Sequence, residues 1–148
     1  MESPCSPIEL LIVDDSPTDV LMTQEGLDHA HVSSHLNIVE DGVEAMDFLH
    51  HRGAYSDAPR PDLILLDLNM PRMDGREVLA QIKANESLSS IPVVIWSSSK
   101  AEEDIQQSYK LQANCFISKP DGFEAFLHTI ESIKAFWLTS VRLPHPAA

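Results

Sequence analysis

Asp14 and Asp15 follow the apolar run at residues 9–13, and Asp67 follows Leu63–Leu66. Ser97 ends the run at 93–96, with Ser98 and Ser99 behind it, and Ser118, Lys119 and Pro120 end the run at 115–117. Three carboxylates brought within a few ångströms repel one another unless cations neutralise them, and one lysine leaves an excess of negative charge. A hard divalent ion with oxygen ligands is the natural partner, and Mg²⁺ suits a site with few protein ligands and several waters. Such a site can hold a phosphoryl group: metal and lysine balance its charge, a hydroxyl donates to it, and an aspartate can accept it covalently. Each residue alone has an ordinary reading, as a solvated loop acid, a polar strand end or a surface lysine. Only a shared location turns them into a site.

Helical segments between the runs supply that location. Ser16-Pro17-Thr18-Asp19 reads as a cap, a first-turn proline and an acid three residues after the cap. Asp41-Gly42-Val43-Glu44, Asp74-Gly75-Arg76-Glu77 and Asp121-Gly122-Phe123-Glu124 repeat the pattern. Apolar stripes agree: Val78, Leu79 and Ile82 in the third helix, and Phe123, Phe126, Leu127, Ile130, Ile133 and Trp137 in a long fifth one. The fourth segment, residues 101–111, is only weakly apolar. Strict alternation of strand and helix predicts an α/β domain with a doubly wound parallel sheet. In the flavodoxin-like (βα)5 order 2-1-3-4-5, ligands bind at the carboxyl ends of the strands, where strand order reverses. Asp14, Asp15 and Asp67 then converge, with Ser97 and Lys119 beside them.

The sequence at this point resembles the receiver domain of bacterial response regulators. The resemblance rests on Leu11-Ile12-Val13-Asp14-Asp15, on Leu65-Leu66-Asp67-Leu68-Asn69-Met70-Pro71 continuing to Met73-Asp74-Gly75, on Pro92-Val93-Val94-Ile95-Trp96-Ser97, and on Phe116-Ile117-Ser118-Lys119-Pro120. It covers roughly residues 8–140. It implies that Asp67 is the phosphoacceptor, with Asp15 a direct Mg²⁺ ligand and Asp14 acting largely through water. It also implies a backbone carbonyl from Asn69 to the metal, a phosphoryl-contacting Lys119, and a cis bond before Pro120. Ser97 matches the switch hydroxyl and Phe116 the aromatic switch position, while Ser98 is small enough to let an amide approach the phosphoryl group. Within the family the likeness is to small stand-alone regulators paired with phytochrome histidine kinases, carried by Pro61-Asp62-Leu63, Gly75-Arg76-Glu77-Val78-Leu79 and Phe136-Trp137-Leu138. Trp96-Ser97 and Phe116 depart from the commoner Leu-Thr and Tyr without removing a chemical function.

The function implied is a single-domain switch of a two-component system that takes its phosphoryl group from a sensor histidine kinase. Two alternatives stand beside it: a phosphatase with an aspartyl nucleophile, and a receiver-like module that works without phosphorylation. The phosphatase reading needs an acid two residues after the nucleophile, and Asn69 stands there.

The 148 residues suit one domain. A net charge of −13 disfavours nucleic acid and anionic membranes as partners. No signal peptide or spanning segment is visible, so a cytoplasmic location is expected. Residues 8–142 are expected to form the domain, with flexible tails at 1–7 and 143–148 and no output domain. Cys5 and Cys115 lack metal-ligand spacing. His29, His31 and His35, and the adjacent His50 and His51, read as surface or capping residues. A homodimer through the fourth helix, fifth strand and fifth helix is expected, with Tyr109, Phe136 and Trp137 as exposed anchors.

Overall fold

A strand buried on both faces needs apolar side chains at successive positions, and the five apolar runs all become strands. The computed structural model describes residues 8–29 and 34–144. The expected tail at 1–7, residues 145–148 of the expected tail at 143–148, and His31 lie outside the described residues. In chain order the elements are β1 Ile8–Val13, α1 Pro17–His29, β2 Ser34–Val39, α2 Gly42–Leu49, β3 Leu63–Leu66, α3 Gly75–Ala84, β4 Val93–Ser97, α4 Glu102–Lys110, β5 Cys115–Ser118 and α5 Phe123–Ala135. A short 3-10 turn lies at Gly53–Tyr55, and one π turn, Phe136–Ser140, continues α5.

All strand pairs are parallel, in the expected order β2-β1-β3-β4-β5. Side chains alternate across the sheet. Leu11, Val13, Ile64, Leu66, Val93 and Ile95 meet α2 and α3 through Met46, Val78, Leu79 and Ile82. Leu10, Ile12, Leu63, Leu65, Val94 and Trp96 meet α1 and α5 through Leu27, Phe126, Ile130 and Ile133. Trp96 stacks edge-on against Phe126, with ring centroids 5.1 Å apart, and its indole N–H donates to the Thr23 hydroxyl at 3.3 Å.

Three of the four expected helix starts form as read. The Ser16 hydroxyl accepts from the Asp19 amide at 3.3 Å, Asp41 accepts from Glu44 at 2.9 Å, and Asp74 accepts from Arg76 at 2.9 Å. The fourth differs: α5 starts from Gly122, at φ 91°, with no side-chain cap from Asp121. A residue in the left-handed region turns the chain into the helix at no steric cost when it is glycine.

At the α5 end Phe136 is exposed as expected, at 57%, and Trp137 corrects the expected surface. Trp137 is half-buried, packed with Leu138 and Leu143 on the core beside α5. Trp137 thus covers its own domain, in line with its place on the apolar stripe, and is not part of an exposed pair. Leu143, placed in the expected C-terminal tail, belongs to the same cluster.

Candidate functional site

Each polar strand end sits at the carboxyl edge of its strand, so parallel topology alone gathers them. Asp14 leaves β1, Asp67 leaves β3, Ser97 closes β4 and Lys119 leaves β5. Carboxylate oxygens of Asp14, Asp15 and Asp67 lie within 4.8 Å of one another. Asp14, Asp67, Ser97 and Lys119 are buried, while Asp15 faces solvent. The Asp14 Oδ1 is pinned by the Ser16 amide at 2.9 Å, and the Asp67 Oδ1 by the Leu68 amide at 2.7 Å. These bonds fix the rotamers of both buried carboxylates from their own loops.

Lys119 Nζ donates to Asp14 at 2.6 Å, to Asp19 at 2.9 Å and to Asp67 at 3.3 Å. One ammonium therefore faces three acids, with Asp15 beyond them. Burial pushes the Asp14 carboxyl up to about 6, against the downward pull of Lys119, and the Asp67 charge adds to the rise. For Lys119, burial acts downward, but the charges of Asp14 and Asp67 and the bonds to Asp14 and Asp19 outweigh it and hold the ammonium above the ordinary lysine value. The site is short of positive charge, and its donors are all carboxylate oxygen. That donor set fits a hard divalent cation and suits soft, thiolate-seeking metals poorly.

Asp19 is not among the residues that the sequence marks for chemistry. Its place in the first turn of α1 reads as a helix-start acid, and only the fold brings it to Lys119, 100 positions away. Asn69 is exposed, two positions beyond Asp67. The Ser97 hydroxyl accepts from the Ser99 amide at 3.2 Å, and Ser98 is exposed. Phe116 is half-buried against the core beside α2 and α3, and its amide donates to the Tyr109 hydroxyl at 3.1 Å. Tyr109 itself is 48% exposed.

The Lys119–Pro120 bond is a correction. Every peptide bond among the described residues is trans. The two isomers of a prolyl bond differ by only about 0.5–1 kcal/mol, so local sequence does not fix the choice. In the trans turn the Lys119 amide still closes the ladder onto the Ser97 carbonyl at 2.7 Å, and its ammonium still reaches all three acids.

Gly75 holds the loop from β3 to α3 against the site. A Cβ there would lie 2.1 Å from the Asp67 carbonyl oxygen and 2.7 Å from the Leu68 Cα. Only glycine lets the start of α3 approach the backbone of the buried aspartate so closely.

The family model described as "Response regulator receiver domain" matches residues 10–131. The chain belongs to this family. As a response regulator it is a component of two-component signalling. It is 44% identical to Response regulator Rcp1 of Synechocystis sp. over 138 residues, 93% of this chain and 94% of that protein. The crystal structure of the Mn²⁺-bound form of Rcp1 matches with a TM-score of 0.90, covering 94% of this chain and all of that one. The phosphorylated cyanobacterial phytochrome response regulator RcpA matches at 43% identity and a TM-score of 0.90, over 94% of this chain and 99% of that one. The bacteriophytochrome response regulator RtBRR matches at 34% identity and a TM-score of 0.74, over 93% and 84%. No helix among the described residues is long and apolar enough to cross a membrane.

Proposed function

We propose that the protein is a phosphorylation switch in which Asp67 accepts a phosphoryl group from a sensor histidine kinase of the phytochrome type. The observation that carries this reading is the buried Asp67 carboxylate, held beside Lys119 and within 4.8 Å of two further acids. In the transfer, a carboxylate oxygen of Asp67 bonds to phosphorus while the N–P bond to the kinase histidine breaks, and that bond's electron pair stays on the imidazole nitrogen. Lys119 holds the charge of the moving group, and the Ser97 hydroxyl donates to it once it has arrived. Mg²⁺ held by Asp14, Asp15, Asp67 and the Asn69 carbonyl would neutralise phosphoryl oxygens. Asn69 offers no acid two positions after Asp67, which favours a lasting switch over a phosphatase. The filled site argues equally against a module that never accepts phosphate.

A cavity of about 320 Å³ beside Asp14 and Asp15 is lined by Pro17, Val20, Leu21 and Gln24. With Leu21 58% exposed, this apolar rim suits the kinase surface that delivers the phosphohistidine. Output passes through Ser97 and Phe116: as the hydroxyl turns toward the dianion, the space it leaves draws the half-buried ring inward.

Incubation with acetyl phosphate and Mg²⁺, read by intact mass, tests the reading. Labelling is expected with Mg²⁺ and its loss with EDTA. Undiminished labelling in EDTA removes the metal from the proposal; no labelling from acetyl phosphate or from any histidine kinase removes the switch.

The homodimer belongs to the same reading. Edge strand β5 and α5 flank an apolar cavity of about 490 Å³, lined in part by Cys115, Ile117, Ile133, Phe136 and Trp137. Phe136 stands exposed against Trp137, with ring centroids 5.4 Å apart, and suits an anchor in a two-fold interface. Light scattering at micromolar concentration should give a dimer that Phe136→Glu converts to monomer. A wild-type monomer, with and without phosphorylation, would sink this part.

A further inference from the structure

The amino end of α4 lacks the usual means of attachment. Its N-cap, Ala101, offers no side-chain hydrogen bond, and Ser108 is the one fully buried residue of the helix. Tertiary polar contacts do the work instead. Asp104, in the first turn, pairs through one oxygen with Arg76 of α3. Its other oxygen accepts from the Ser99 hydroxyl at 2.6 Å. Ser99 is the node of the loop: its hydroxyl accepts from the Ala101 amide at 3.2 Å, its carbonyl accepts from the Ser118 hydroxyl at 3.0 Å, and its amide donates to the Ser97 hydroxyl at 3.2 Å.

The two ends of this chain of contacts leave opposite sides of the site. Ser97 closes β4 beside Asp67. Arg76 stands one residue after Gly75, whose amide bonds the Leu68 carbonyl at 2.8 Å directly behind Asp67. The Arg76 and Asp104 side chains are 28% and 21% exposed, so their pairing is partly shielded from solvent. Bonds from Ser99 and Arg76 hold the Asp104 carboxyl below the usual carboxylate range, which keeps it charged.

We propose that Arg76, Asp104 and Ser99 form a latch that holds the amino end of α4 in its unphosphorylated position, and that the latch opens when the Ser97 hydroxyl leaves Ser99 for the phosphoryl group. This rests on the phosphoacceptor reading of Asp67. A serine hydroxyl that swings toward the new dianion no longer accepts from Ser99. Ser99 then shifts, its hydroxyl parts from Asp104, and the Arg76–Asp104 pair, left without that support, releases the first turn of α4. Arg76 is a positioning residue, because it touches neither the acceptor nor the phosphoryl group.

Phosphorylation proceeds from the unlatched arrangement, so the labelling rate follows the population of that arrangement. Opening the latch by mutation raises this population. Arg76→Met and Asp104→Asn should therefore each raise the rate of labelling by acetyl phosphate about fivefold. Both should also raise amide exchange in α4 of the unphosphorylated protein, while Arg76→Lys restores much of the wild-type rate. High salt should speed labelling of the wild type more than of Arg76→Met, because it screens only the intact pair. A merely structural role would lower stability and leave the labelling rate unchanged. Wild-type rates in both variants, or faster labelling with unaltered α4 exchange, overturn the latch. Failure of the wild type to label with any donor is a separate result and overturns the phosphoacceptor reading itself.

Discussion

Asp67→Asn lowers the rate of phosphorylation by more than about 100-fold, because it removes the nucleophile. An amide has no anionic oxygen to offer phosphorus, and its nitrogen lone pair is delocalised. The variant should nevertheless fold. The carbonyl oxygen of the new side-chain amide can still accept from the Leu68 amide, the bond that fixes the Asp67 side chain at 2.7 Å. Lys119 keeps Asp14 and Asp19 at 2.6 and 2.9 Å. One negative charge also leaves a crowded site, so in EDTA the thermal midpoint should hold or rise. Intact mass and a melting curve on one preparation separate chemistry from stability. Labelling of the variant at the wild-type rate, on another residue, rejects Asp67 as acceptor.

The strands were legible because a sheet covered on both faces demands apolar runs that stop abruptly at polar residues. Leu63–Leu66 followed by Asp67 is the sharpest case, with all four strand residues buried. Helix starts at Asp41 and Asp74 were legible because capping is a contact between residues two or three apart. Asp121 failed by the same logic: Gly122 turned the chain first, and no acid was needed. The strand ends predicted the meeting of Asp14, Asp15, Asp67 and Lys119, since topology alone places them on one edge. Asp19 escaped because its partner is fixed by the whole fold, whereas its local setting already explains an acid. Pro120 escaped because its two isomers are nearly equal in energy. Trp137 divides the two signals: its spacing from Ile130 and Ile133 places it on the apolar stripe, and the fold keeps it there, against the expectation that an aromatic so late on the helix stands exposed.

Lys119→Met is expected to destabilise the metal-free protein by about 3 kcal/mol at pH 8, since removing one member of a buried charge cluster leaves the others uncompensated. Methionine fills similar volume, so the loss is electrostatic. Its signature is the dependence on pH. Burial already raises Asp14 from 3.8 to about 6 in the folded protein. A carboxyl raised on folding binds its proton more tightly in the native state, so stability falls as pH rises from about 4 to about 6. Lys119 opposes that rise, and without it the folded Asp14 titrates higher still. The window of falling stability then extends above pH 6. At pH 8 the variant must ionise Asp14 beside Asp67 with no ammonium between them; at pH 5 Asp14 is protonated in the variant and the deficit shrinks. Urea unfolding in EDTA at the two pH values measures this. A deficit that is the same at pH 5 and pH 8 would mean that Lys119 contributes packing rather than charge. Added Mg²⁺ should stabilise the variant more than the wild type, because a ligand that binds only the folded state adds stability in proportion to the logarithm of its affinity, and three carboxylates without a competing ammonium attract the cation more strongly.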